Sequence, residues 1–473
     1  MAPGTTTYFS LLSVTLMTII MVSGCSLSPE YRRPVSSVPP EWSQHDMSFD
    51  ANTSGGSSRP FFVDNKIQQL IKLTLLGNKD LQLSALNLKK AAAQYGVDRL
   101  SSLPNVGFTA QKTAAHEPTG IFDTVDTGAV TYHQYDVKLV SASWEIDFWG
   151  RLRSLREASL NEYLAADASA RALRLALMEQ AVSTYLTYLA DRESADLACA
   201  ILENKRARQD MLHQAMQAGE LSQDAAMVAD REVRQASAEL ARLRLQAQQD
   251  YNALQLIVGG PLPGTLFTGV TLSQDWQFPS LKGELPSEVL LRRPDIVAAE
   301  YELRAANARI GAARAAFFPS VSITAEGGSS SADLGKLLSG GTANWSFVPS
   351  INLPLFDSGK NKASLDIAEL NKKVEVVNYQ KAIQQAFRDV SDALAGQSSV
   401  KQQLEQNESA YTVLQKQYQM AQATFAAGQI SRESLLQKKS ELLDVQDKML
   451  SARLKYLVQS VKLFTVLGGD NTI

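Results

Sequence analysis

Four histidines, two cysteines and the arginine pair Arg292-Arg293 are the residues whose types invite a chemical reading. His45, His116, His133 and His213 lie far apart, and no two stand at the three-to-five-residue spacing that lets paired imidazoles grip a divalent metal. No metal site is expected. Arg292-Arg293 has the charge for an anion site, but Pro294 and Asp295 follow directly. Proline suits a first helical turn and an early acid complements the helix dipole, so the pair reads better as the start of a helix. The chain carries no glycine-rich phosphate loop, nucleophile elbow or paired catalytic constellation. Enzymatic chemistry is not expected.

One residue does have a covalent chemistry written beside it. Leu11 to Val22 is an apolar run too short to cross a bilayer, and it ends in Val22-Ser23-Gly24-Cys25. That ending resembles a bacterial lipobox, so residues 1–24 read as a signal peptide and Cys25 as a lipidated mature N-terminus. Ser26 then implies release from the inner membrane. A covalent lipid on Cys25 is the only non-protein group expected, with no cofactor. Cys199 is left without an intramolecular partner and reads as a small buried apolar residue.

Bulk properties exclude more than they assign. A net charge of -3 and a pI near 6.0 give no pull toward nucleic acid. No run of eighteen apolar residues follows the N-terminus, which argues against a transmembrane helix but leaves transmembrane strands open.

The elements that must carry these residues come in duplicate. Leu291 to Gly327 matches the segment 215 residues earlier without a gap: Asp295 falls on Asp80, Leu303 on Leu88, Gly311 on Gly96, Pro319 on Pro104 and Val321 on Val106. A second register, offset by 209, relates Gly359 to Gly150, Gly428 to Gly219 and Gly468 to Gly259. The chain therefore divides into a signal (1–24), an extended tether (25–63), repeat one (64–260), a linker (261–290), repeat two (291–469) and a tail (470–473). Each repeat reads as helix, strand, strand and long helical hairpin. Asp64 to Ser101 has helical spacing, and strands are expected at about 104–114, 135–147, 319–327 and 344–356.

The returning strand of repeat two separates Trp345, Phe347, Ile351 and Leu353 from Ser346, Ser350 and Asn352, as if two solvents met its two faces. Trp144, Phe148 and Trp149 join Trp345 and Phe347 as candidates for an interfacial aromatic girdle. After each strand pair the chain runs nearly seventy residues without proline, about 100 Å of helix. Leu404, Asn407, Tyr411, Leu414, Tyr418, Ala421 and Phe425 alternate steps of three and four, a heptad seam. The hairpin tips fall at Gly219-Glu220 and Gly428-Gln429. Four amphipathic strands cannot close a barrel, and open edges in lipid leave backbone groups unpaired, so several copies must pool them.

Leu291-Arg292-Arg293-Pro294-Asp295-Ile296, Ala299-Glu300, Leu303, Ala306, Ile310-Gly311 and Phe318-Pro319, with Tyr31, Pro34 and Trp42, resemble the TolC-like outer-membrane efflux proteins, lipoprotein branch. The resemblance spans essentially the whole mature chain. It implies a mixed α and β membrane protein: a homotrimer whose twelve-stranded outer-membrane β-barrel, four strands per chain, continues into a long periplasmic α-helical barrel. It also implies a passive duct for drugs, toxic small molecules or metal ions, docked at its tips to a periplasmic adaptor and an inner-membrane pump. Described relatives often carry aspartates six and nine residues after the tip glycine. Ser434 and Gln437 stand there in this chain, and Ala225 and Val228 in repeat one. Cation selectivity and divalent block weaker than in acidic-tipped relatives are expected from that departure. The competing readings are a lipid-anchored periplasmic coiled-coil scaffold and a protein-secretion duct.

Overall fold

The computed structural model describes residues 27–35, 38–39, 61–118, 129–274, 276 and 287–469. The signal segment, Cys25, most of the tether and the tail lie outside the described residues. The chain forms helix α1 (Asn65–Gly77), α2 (Lys79–Leu100), strands β1 (Val106–Glu117) and β2 (Val130–Ile146), α3 (Arg151–Gln217) and α4 (Gln223–Val258). Then come α5 (Pro294–Ala315), β3 (Ser320–Ser331), β4 (Ala343–Asn352), α6 (Lys360–Ala426) and α7 (Arg432–Val466). They fall into two compact units.

The first unit comprises the described parts of Met1–Val35, Asn87–Asp167 and Ala298–Tyr379. Its centre is one antiparallel sheet in the order β1-β2-β3-β4. The strands run longer than the sequence pattern suggests. His116 and Thr131, outside the expected strands at 104–114 and 135–147, face each other across β1 and β2, with His116 Nδ1 2.7 Å from Thr131 Oγ1. Gly328 to Ser331, beyond the expected strand end at 327, belong to β3, where a Cβ on Gly328 would press into the backbone at Val137. Glycine is thus a strand residue here because the next strand passes too close for a side chain. β4 stops at Asn352, short of the expected 356, just before Pro354.

The second unit comprises the described parts of Ser36–Leu86, Ala168–Val297 and Gln380–Ile473. Its core gathers Phe61 and Phe62, Ile67 and Leu70 of α1, Tyr185, Leu186 and Leu189 of α3, Leu254 and Ile257 of α4, and Leu457, Val461 and Phe464 of α7. The helix expected from Asp64 to Ser101 is broken at Asn78. That residue is buried, gives its amide to the Ile257 carbonyl (2.7 Å) and accepts the Leu81 N–H (3.0 Å). One side chain thereby starts α2 and ties it to α4.

The segment read as a linker also proves structural. Leu262, Leu266, Val270, Leu272 and Trp276 are all buried in this core. Full burial of such side chains contributes about 1.5–3 kcal/mol each. Two of their carbonyls are satisfied from α3: Tyr185 Oη donates to Leu266 O (2.6 Å) and Arg192 Nη2 to Val270 O (2.7 Å). Irregular turns place these anchors, so no period marks them in the sequence.

Both long helices have 67 residues. Their apolar seams differ in burial. Ala195, Ala198, Leu202 and Leu212 of α3 are buried, whereas the α6 positions Leu404 to Ala421 stay half-buried and Phe425 is exposed. Helix α3 has neighbours on two sides: Ala198 and Leu202 cluster with Leu240 of α4, and Asn204 Nδ2 donates to Leu436 O of α7 (3.0 Å).

Candidate functional site: sheet faces and helical tips

Directly opposed residues in an antiparallel sheet share a face, so the pairing register assigns every side chain of the sheet to one side. Ile351 opposes Val321 and Val321 opposes Ile146; Trp345 opposes Gly327, which opposes Leu139, which opposes Phe108. Phe347, Ala325, Ser141 and Val106 form another such row. The other face carries Thr109, Gln111, Asp136, Lys138, Ser322, Thr324, Glu326, Ser346 and Ser350. One face is apolar and exposed, with Trp345 at 82% and Ile351 at 74% accessibility. The other is polar and internally bonded: Lys138 Nζ lies 3.6 Å from Asp136 and 3.4 Å from Glu326.

A bulge makes this sorting work. Taken as simple alternation, Val140, Ala142, Trp144 and Ile146 would share a face. The register slips between Ser141 and Trp144, with Ser143 at φ 48°, so Val140 opposes Glu326 while Trp144 opposes Ile323. The extra residue turns Trp144 and Ile146 onto the apolar side. Trp149 stacks on Phe318 (4.7 Å between ring centroids) and donates to Pro319 O (2.8 Å), so it braces the strand–helix junction. Leu353 lies one residue beyond β4 and is exposed, and β1 and β4 each keep one edge unpaired among the described residues.

The hairpin tips in the second unit close alike. Gly219 and Gly428 take φ of 78° and 73°, a region that favours glycine. The next residue seals each helix: Glu220 N–H donates to Ala215 O and Gln429 N–H to Thr424 O, both at 2.9 Å. Ser431 starts α7 by accepting the Ser434 N–H at 3.2 Å. The Ser434 and Gln437 side chains are exposed.

Beside the tips lies a charge network that sequence patterns did not disclose. Glu232 of α4 receives Lys205 (3.0 Å) and Arg208 (3.1 Å) from α3, and the other Arg208 nitrogen lies 3.5 Å from Glu433 of α7. Burial alone would raise the Glu232 pKa, but hydrogen bonds and charge from Lys205 and Arg208 outweigh it and hold the carboxyl below its usual range. Hydrogen bonds from Gln209 and His213 likewise lower Asp230. Glu433, acidic and close to the tip, is therefore engaged by an arginine of the other repeat.

The motif arginines go elsewhere. Arg293 makes a two-point pair with Asp295 (3.1 and 2.8 Å) and donates to Val466 O (2.8 Å), the last residue of α7. Pro294 opens α5, and Asp295 accepts the Ile296 N–H. Pro319 and Pro104 each stand just before a strand. No group of acids, histidines and cysteines able to hold a metal occurs among the described residues.

A sheet with one apolar and one polar face, joined to paired long helical hairpins in two repeats, matches one family model in both repeats. The model described as "Outer membrane efflux protein" covers residues 70–260 and 285–469. The chain belongs to the outer membrane efflux protein family. It is 36% identical over 465 residues to the probable efflux pump outer membrane protein TtgC of Pseudomonas putida, covering 97% of this chain and 95% of the relative. It is 34% identical to the probable outer membrane lipoprotein SilC of Salmonella typhimurium, covering 98% and 99%. The open-state MtrE outer membrane channel of Neisseria gonorrhoeae superposes with a TM-score of 0.80 at 32% identity, over 94% of this chain and 98% of that one. The chain is an outer-membrane efflux channel protein of the TolC-like fold and not an enzyme.

Proposed function

We propose that this efflux protein works as a passive homotrimeric exit duct, lipid-anchored through Cys25. Three chains pool twelve strands into a barrel and their long hairpins into a periplasmic tube. Trp345, Phe347, Ile351 and Leu353 then face outer-membrane lipid, while the polar sheet face lines water. The single observation that carries this reading is the sheet itself: it has two faces suited to two solvents, and two open edges that lipid cannot satisfy. Exposed apolar residues on α4 (Met227, Leu245, Leu256) and α6 (Val413, Met420) fit contact with neighbouring copies.

Energy comes from an inner-membrane pump, and a periplasmic adaptor docks at Gly219-Glu220 and Gly428-Gln429. The Arg208 network holds the tips shut until docking loosens it. The cargo is drugs, toxic small molecules or metal ions. The segment boundaries 1–24, 25–63, 64–260, 261–290, 291–469 and 470–473 correspond to signal, tether, first repeat, connector, second repeat and tail. Insertion of the purified, lipidated protein into planar bilayers tests this: discrete conductance steps are expected. A lipidated, folded protein that never conducts would support the scaffold reading instead.

A further inference from the structure

The first unit contains a groove whose use the duct does not explain. Residues 28–33 lie along α5. Ser28 Oγ is 3.0 Å from Ser154 Oγ of α3, and Asn307 Nδ2 donates to Pro29 O (2.7 Å). Glu300, only 7% exposed, receives Tyr31 Oη (3.2 Å), Arg33 Nε (3.3 Å), Arg33 Nη2 (2.8 Å) and Arg304 Nη2 (2.7 Å). The Arg304 guanidinium also sits 4.9 Å from the centre of the Tyr31 ring, a cation–π distance. Gly311 completes the groove, because a Cβ there would collide with Ser28 and Ser154.

The sequence duplication supplies an internal control. At an offset of 215, Glu300, Asn307 and Gly311 correspond to Ala85, Ala92 and Gly96 of α2. Ala85 and Ala92 are exposed, and nothing lies within 4 Å of a Cβ placed on Gly96. The two helices share a repeat, but the buried acid and the amide occur only on the copy that meets the N-terminal segment. A helix kept for packing alone would not need them, since an unpaired buried carboxylate is costly.

We propose that this face of α5 is a receptor groove for the chain's own residues 28–33, which fastens the lipid-bearing N-terminus to the wall as a fixed strap. The proposal rests on reading Cys25 as the lipid anchor. Cys25 lies three residues before Ser28, about 10 Å of extended chain. Gly311 lies eight residues before Pro319, about 12 Å at helical rise. The anchor can therefore lie no farther than about 10 Å from Ser28, within reach of the level at which the strands begin. The lipid then holds the wall itself and not a free tether.

The test is trypsin cleavage after Arg32 in the folded, full-length protein, since the protease must lift the strap from its groove. Glu300→Gln and Gly311→Leu are expected to speed this cleavage about tenfold, the scale of one charged hydrogen bond. Gly96→Leu, on the equivalent face of α2, leaves the rate unchanged. An oxidised Ser28→Cys/Ser154→Cys pair protects the site, and reduction restores cleavage, which covers the case in which a groove variant fails to fold. Wild-type rates in both groove variants, equal acceleration by Gly96→Leu, or failure of the cysteine pair to protect overturns the proposal. Planar-bilayer conductance of the same preparations reports on the duct reading separately, because strap release and conduction are read by different signals.

Discussion

Arg208 of the first repeat lies 3.5 Å from Glu433 of the second, so one ion pair joins the two hairpins beside their tips. The same guanidinium holds Glu232 at 3.1 Å, which binds α3 to both α4 and α7. A residue that closes two interfaces at once is the natural latch in the proposed duct, whose gate lies at this end.

Arg208→Ala is expected to loosen the tips. Partly exposed ion pairs contribute about 0.2–1 kcal/mol each, so open-state occupancy should rise by no more than about fivefold per lost pair. Single-channel recording in planar bilayers measures this. Unchanged occupancy in both Arg208→Ala and Glu232→Gln would remove the network from the gate.

Ser434 and Gln437 put no carboxylate at the two exposed positions six and nine residues after Gly428. Divalent cations should therefore block wild-type conductance only weakly, and Ser434→Asp with Gln437→Asp should introduce block, since a carboxylate ring concentrates cations. Strong wild-type block that survives neutralisation of Asp224 and Glu433 would contradict this.

The sheet faces predict opposite responses from adjacent residues. Trp345→Arg puts a charge on the apolar face and should cost about 2–4 kcal/mol if it sits near mid-bilayer. Ser346→Arg, one residue on, faces Glu326 and should leave stability nearly unchanged while altering conductance. Urea unfolding from detergent micelles compares the two, and similar losses would mean that the faces are wrongly assigned.

These faces were only partly legible in the sequence. The repeat offsets, the glycine tips at Gly219 and Gly428 and the alternation from Trp345 to Leu353 are local patterns. The bulge at Ser143 is invisible to alternation, because one inserted residue exchanges the faces of everything after it. Asn78 interrupts a helical period without interrupting its apolar spacing. The Arg208–Glu433 pair and the Tyr31–Glu300 contact join residues more than two hundred positions apart, and charges at that separation carry no register.

Asp191 predicts a pH dependence. Burial, then a hydrogen bond and like charge from Asp250, push its carboxyl up to about 7, with Arg242 opposing. An unfolded aspartate titrates near about 4, so between about 4 and 7 the folded chain keeps a proton that the unfolded chain has released. Stability therefore falls as pH rises through that window and remains reduced above it. Asp250→Asn should raise the melting temperature at pH 8 and hardly change it at pH 4. An equal shift at both pH values would count against a proton held on Asp191.

In the proposed duct, one chain by itself completes neither the barrel nor the tube. Native mass spectrometry of protein extracted from outer membranes with mild detergent tests it most directly. One dominant species of three chains is expected. A dominant monomer that still conducts in planar bilayers would contradict it.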